Sequence, residues 1–213
     1  MIKTIFLDFD GVIVDSVDIK TDAFVKLFES KGKEIAEKVK HYHLQNTGVS
    51  RYDKFRAIYR EILNHGLSEN MFNKLCDEFS ALVIDGVINA PYIKGAKEFL
   101  ENYASRYTYF VISATPQGEL EEIIRRRNIG KLFKAIYGAP IKKEDAVRGV
   151  LTKEKIKPYE AVYIGDAMSD YTAAKDNSIN FIAIIKDNKS ILSDLDCIRV
   201  KDFTELEKFL QAL

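Results

Sequence analysis

The period of the apolar positions changes along the chain, and each change marks a new kind of element. The first stretch, residues 4–16, opens with the uninterrupted apolar run Ile5, Phe6 and Leu7 and continues through Val12, Ile13 and Val14. Such a run beside the N-terminus predicts a buried parallel strand. It is broken by Asp8 and Asp10, one residue apart, with Gly11 next. From residue 17 to about residue 89 the spacing becomes helical. Ile19, Ala23 and Leu27 form one stripe, Phe55, Ile58 and Ile62 a second, and Phe72, Leu75, Phe79 and Leu82 a third, punctuated by Gly32, Gly48 and Gly66. No strand pattern interrupts this interval.

From Gly95 helices and strands alternate strictly. Ala96, Phe99, Leu100 and Tyr103 make a helical face, and residues 107–112 make a strand. A helix carrying Leu120, Ile123 and Ile124 follows, with Thr115 as its expected N-cap and Pro116 at its first position. Strands are predicted at 135–138, 161–164 and 181–185, with a weak one near Ile198. Between and after them come helices through Ala146, Val147, Val150 and Leu151, through 168–177, and through Phe203, Leu206 and Leu210. Alternation of this kind implies right-handed crossovers and an α/β fold with a doubly wound, mostly parallel sheet. The expected organisation is a core of residues 1–16 and 90–213 with an all-helical insert, residues 17–89, placed to act as a lid.

Composition narrows the function classes. Lys plus Arg and Asp plus Glu both number 32, so the formal charge is zero and the basic surface of a nucleic-acid binder is missing. Cys76 and Cys197 have no metal-like or redox spacing. Neither a signal peptide nor a stretch of membrane-spanning length is predicted, and a reducing cytoplasm is the expected setting.

Each core strand ends in polar chemistry. The period of two puts Asp8 and Asp10 on one side of the first strand, where a divalent cation would relieve their repulsion, and Gly11 permits a sharp turn or a close ligand. The second strand ends in Ser113-Ala114-Thr115, a hydroxyl and backbone N–H groups suited to an anion. The third is followed by Lys142 and Lys143, and the fourth by Gly165, Asp166 and Asp170. In open α/β sheets ligands bind beyond the carboxyl ends of the strands, so these groups converge on one rim.

In chain order the set resembles the motifs of the haloacid dehalogenase superfamily of phosphohydrolases, which read DxD, Ser/Thr, Lys and GDxxxD. The helical interval after the first motif is similar to that of the subgroup with a helical cap there, which includes phosphoglycolate phosphatases and β-phosphoglucomutases. The resemblance implies a phosphatase for a small phosphorylated metabolite, with Asp8 as nucleophile and Asp10 as general acid and base. Ser113, the Ala114 N–H and Gly11 would then bind the phosphoryl group. It implies Mg²⁺ held by Asp8, the backbone carbonyl of Asp10 and Asp166, with Asp170 orienting its neighbours. Both Lys142 and Lys143 lack the proline that follows the lysine in many relatives, and the distance from Gly138 favours Lys143 as the third motif.

In the insert, Gly48-Val49-Ser50-Arg51 is similar to a β-phosphoglucomutase segment whose arginine grips a sugar phosphate, which makes Arg51 a substrate-binding candidate. Lys20 stands where those mutases carry a histidine, so hydrolysis is expected over mutation. A β-phosphoglucomutase-like phosphotransferase and a non-catalytic binding module are the alternatives. His41 and His43 lack a third ligand candidate and read as a polar loop or helix end. Substrate identity and oligomeric state have no signature in the sequence.

Overall fold

The computed structural model describes residues 1–186 and 191–213. Six strands form one sheet: β1 (Thr4–Leu7), β2 (Thr108–Pro116), β3 (Ala135–Ala139), β4 (Ala161–Gly165), β5 (Asn180–Ile184) and β6 (Ile198–Val200). Their order is β3-β2-β1-β4-β5-β6, and every neighbouring pair is parallel. The chain builds outward from β1 to β3, then returns to lay β4 on the free edge of β1. The reversal of strand order therefore falls between β1 and β4, where a crevice opens at the carboxyl ends.

Successive residues of each strand serve opposite faces. Ile5, Leu7, Val111, Val162 and Ile164 pack with Phe99 and Leu100 of α5 (Ala96–Asn102), Leu120 and Ile123 of α6 (Gln117–Arg126), and Leu206 and Leu210 of α9 (Leu206–Ala212). On the other face Phe6, Phe110 and Tyr163 pack under Val147 and Val150 of α7 (Lys143–Glu154) and Ala173 and Ala174 of α8 (Met168–Asp176). Phe6 stacks on Phe110 at 5.6 Å between ring centroids, and the Tyr163 hydroxyl donates to the Ile112 carbonyl at 3.0 Å. The buried phenol is thus partnered, as a polar group in a dry core must be.

β1 stops at Leu7, just before the two carboxylates, and Gly11, at φ +78°, turns the chain so that its N–H donates to the Val14 carbonyl and the buried residues 12–14 leave the strand. One sequence expectation needs correction. β2 runs to Pro116, four residues beyond its expected end, so Thr115 lies in the strand and does not cap α6. Its hydroxyl is instead committed to Asp10.

Residues 17–89 are helical in four main segments: α1 (Val17–Phe28), α2 (Lys33–Gln45), α3 (Arg51–Ala57) extended by a π turn (Ile58–Ile62), and α4 (Glu69–Asn89). Ser50 and Ser68 cap α3 and α4 by accepting from the N–H groups of Asp53 and Met71. Their interior is aromatic, with Phe24 4.6 Å from Phe79 and 5.4 Å from Phe55 between centroids. The chain leaves and rejoins the sheet through paired segments: Asp15 N–H bonds Pro91 O at 2.9 Å and Ile93 N–H bonds Ile13 O at 3.0 Å. Arg127, just past α6, ties the end of α4 to the sheet. Its Nη1 donates to the carbonyls of Val87, Ile88 and Ala90, and its guanidinium lies 4.3 Å from the Tyr92 ring centroid. Of these carbonyls only that of Val87 has a backbone partner among the described residues, the Ala90 N–H at 3.3 Å, and all three sit at the negative pole of α4. Arg127→Met is expected to lower unfolding free energy by about 2 kcal/mol, the scale of hydrogen bonds to a charged group. Urea titration followed by circular dichroism checks this, and a change within error would mean that water satisfies the carbonyls equally well.

Candidate active site

Asp8 directly follows β1 and is buried. One of its oxygens accepts the Phe9 N–H at 2.6 Å, and the other accepts the Lys143 ammonium at 2.6 Å. Lys143 opens α7 and is itself buried, with its second contact to Asp170 Oδ1 at 2.7 Å. Asp170, in the first turn of α8, uses its remaining oxygen to accept the Ala167 N–H at 3.1 Å, which fixes the turn after β4. Lys142 is exposed, so of the two adjacent lysines Lys143 reaches the acids.

Asp166 completes the cluster. Asp8, Asp166 and Asp170 present oxygens all within 4.8 Å of one another. Two glycines make the crowding possible: a Cβ on Gly11 would lie 2.1 Å from Asp166 Oδ2, and one on Gly165 would lie 2.2 Å from the Asp170 Cβ. Burial, then the Asp170 and Asp10 charges, push Asp8 up to about 7 against the pull of Lys143. Burial and the Asp8 and Asp170 charges raise Asp166 well above the usual carboxylate range. Three carboxylates thus face one ammonium in a dry site. A hard divalent cation taking oxygen ligands fits this donor set and its uncompensated charge, and Mg²⁺ is the ion for which so few carboxylates suffice. Asp166 accepts no hydrogen bond among the described residues, whereas both oxygens of Asp170 are occupied.

Asp10 does not turn its side chain toward this cluster. Oδ1 accepts the Ser16 hydroxyl at 2.6 Å, and Oδ2 accepts Lys20 at 2.5 Å and the Thr115 hydroxyl at 3.0 Å. Lys20 also donates to Thr115 Oγ1 at 2.8 Å. Burial alone would raise the Asp10 carboxyl, but the Lys20 charge and these hydrogen bonds outweigh it and hold it below its ordinary value. Ser113 is buried beside Thr115, whose N–H it accepts at 3.1 Å. Thr115 is therefore a site residue that its Thr-Pro context disguised as a helix cap. Its spacing of two from Ser113 was the signal available.

These groups line a cavity between sheet and insert, together with Ala114, Val17, Phe24, Phe79, His43, Arg51 and Lys54. Its volume of about 40 Å³ holds a few water molecules. The insert is held down by Ser169 Oγ donating to Gly48 O at 2.9 Å and by Arg51. Arg51 lines the cavity as expected, but its guanidinium is not free for a distal phosphate. It forms a bidentate pair with Glu119 of α6, at 2.8 and 2.5 Å, and donates to Ser80 at 2.6 Å. A substrate anion would have to displace a carboxylate.

His43 sits in the last turn of α2, the helix end that was one of its two expected positions, but it is not a polar surface residue. It is a buried member of α2, packed 4.6 Å from Phe24 between ring centroids, and Nδ1 lies 3.0 Å from Lys54 Nζ. Its partner His41 does not line the cavity.

A model of the haloacid dehalogenase-like hydrolases matches residues 5–184. The chain belongs to that family. A phosphorylated carbohydrates phosphatase of Thermotoga maritima is 24% identical over 199 residues, spanning 89% of this chain and 90% of the relative. A 5'-nucleotidase of Pseudomonas aeruginosa is 29% identical over 107 residues, 47% of this chain and 48% of its own length. Among solved structures, a β-phosphoglucomutase of Clostridium difficile superposes with a TM-score of 0.80 at 18% identity, covering 100% of this chain and 96% of the other. This haloacid dehalogenase-like hydrolase is accordingly an enzyme, on the α/β fold described above. No helix among the described residues is long and apolar enough to cross a membrane.

Two predictions follow from the geometry. Lys143→Ala leaves Asp8 and Asp170 uncompensated, so phosphatase kcat/KM is expected to fall by about 100-fold or more, the scale of losing one fixed electrostatic partner. Lys142→Ala should stay within about twofold, as solvated charges do. Equal mild losses in both would mean that Lys143 only fills space. For His43, burial and then the Lys54 and Lys20 charges hold its pKa down to about 2. Its imidazole resonances should not titrate between about pH 5 and 8, where a free histidine does. Because the unfolded chain takes up that proton, His43 stabilises the fold above about pH 6.5, and this contribution is lost as pH falls below it. A titrating His43 signal would contradict the buried placement.

Proposed function

We propose that this hydrolase cleaves a small phosphomonoester with Mg²⁺ as cofactor, through a covalent phosphoryl group on Asp8. The observation that carries the reading is the Lys143 bridge between Asp8 and Asp170, with Asp166 beside them at the carboxyl ends of β1 and β4. A carboxylate fixed in this way presents an oxygen to the cavity while its other contacts resist rotation.

Asp8, Asp166 and the main chain at Asp10 would hold the ion, with Asp170 fixing Lys143 and the turn behind it. When bound, the ion supplies charge neutralisation for the nucleophile and the transferred group. In the first step an Asp8 oxygen bonds phosphorus, the ester oxygen departs, and Asp10 delivers a proton to it. Ser113 and the Ala114 N–H hold equatorial oxygens, where charge accumulates in phosphoryl transfer. In the second step Asp10 takes a proton from water, which bonds phosphorus and frees Asp8 and inorganic phosphate. Asp10 carries a proton into the first step; once it has given that proton to the leaving oxygen, the contact with Lys20, which lowers its pKa, favours the carboxylate, the form the second step requires. This favours hydrolysis over transfer back to a sugar, in keeping with a relative named as a phosphatase that matches nearly the whole chain.

Asp8→Asn is nearly isosteric and removes the nucleophile. It should abolish phosphate release from an aryl phosphate, and with it any acid-stable phosphoryl label on the protein, while the circular dichroism spectrum is retained. EDTA should silence the wild type and added Mg²⁺ restore it. Turnover by folded Asp8→Asn, or full activity in EDTA, would refute the mechanism.

A further inference from the structure

The cavity is lined by three cations from the insert, and they are not equivalent. Lys20 is paired with Asp10 and Arg51 with Glu119. Lys54, in α3, is 2% exposed and has no carboxylate within ion-pair distance among the described residues. Its Nζ contacts only His43 Nδ1 at 3.0 Å and the Thr47 carbonyl at 3.3 Å, and lies 5.3 Å from the Phe24 ring centroid. An ammonium buried without a counter-charge is costly, and burial accordingly lowers Lys54 well below the ordinary lysine value.

The residue that backs it carries a second unspent group. His43 Nε2 is buried and has no hydrogen-bond partner among the described residues. An ammonium only donates, so beside a charged Lys54 the Nδ1 atom accepts and the ring proton sits on Nε2. Lys54 and His43 both line the cavity, and among the described residues Lys54 has no anionic partner. Phe24 and Phe79 surround them with apolar surface, which strengthens any charge interaction made there.

We infer that Lys54, backed by His43, is a subsite for a second anionic group on the substrate, a carboxylate or a phosphate carried by the leaving portion. The preferred substrates are then phosphate esters of hydroxy acids or bisphosphates rather than esters of neutral alcohols. Lys54 is a specificity-determining residue, and Arg51, held by Glu119, fastens the insert. This subsite rests on the phosphomonoesterase reading above, since it takes the transferred phosphoryl group to lie at Asp8.

The test compares matched pairs on the full chain with Mg²⁺: phosphoglycolate against hydroxyethyl phosphate, and a hexose bisphosphate against the hexose monophosphate. The wild type is expected to favour the acid-bearing member of at least one pair by about tenfold or more in kcat/KM, the worth of one charge-assisted hydrogen bond. The pair that responds tells carboxylate from phosphate. Lys54→Met should collapse this ratio toward one, chiefly through KM, and Lys54→Arg should restore part of it. A wild-type ratio near one in both pairs overturns the subsite. So does an equal loss for both members in Lys54→Met, the mark of a structural lysine. Calorimetric binding of the same pairs to Asp8→Asn separates the two layers. Lys54-dependent preference in binding without turnover by the wild type keeps the subsite and refutes the phosphatase mechanism. Turnover of every ester without preference does the reverse.

Discussion

Everything in this molecule answers to the crowding of like charge at the carboxyl ends of β1 and β4. Three carboxylates converge within 4.8 Å in a buried place, and a single ammonium stands against them. Unrelieved, that arrangement would oppose folding, because each acid would be driven to take up a proton. The sheet order makes the convergence unavoidable, since the strand that carries Asp8 and the strand that precedes Asp166 are neighbours at the reversal. Gly11 and Gly165 are the steric counterpart: where the acids crowd, there is no room even for a methyl group.

Asp10 shows how position and environment divide two acids of one motif. Asp8 shares its environment with other carboxylates and is pushed toward neutrality, while Asp10, two residues on, faces Lys20, Ser16 and Thr115 and is drawn toward the ionised form. Opposite shifts in adjacent carboxyls are how one fold keeps separate roles for similar groups. The division is made by the insert as much as by the sheet, because Lys20 comes from α1.

The parts of the site that were legible in the sequence sit at strand ends. Asp8, Ser113, Asp166 and Asp170 each follow an apolar run, and that local pattern carries both strand and placement. Lys143 was favoured over Lys142 only by the resemblance of its distance from Gly138 to that in related proteins, and it is Lys143 that reaches the acids, because α7 begins at that residue and turns it inward. What stayed hidden depends on contacts distant in sequence. Nothing near Arg51 announces Glu119, which lies on another element across the cavity. Thr115 before Pro116 has the same local chemistry as a helix cap, and only the longer β2 shows that it is paired with Asp10. His43 offered a metal-like doublet with His41, but the helix of α2 sends the two in different directions, one to the core and one to solvent.

The paired segments at Asp15–Pro91 and Ile13–Ile93 have a consequence for how such a chain diversifies. The chain leaves the sheet and comes back to it at adjacent points, so the strand order and the spacing of the acids do not depend on what is threaded between residues 16 and 90. Apart from Lys20 of α1, which is paired with Asp10, helices there can be lengthened, exchanged or resurfaced without moving the strands that carry the acids. The sheet is under strict chemical constraint, and the insert is free to drift toward whatever metabolite its wall happens to fit.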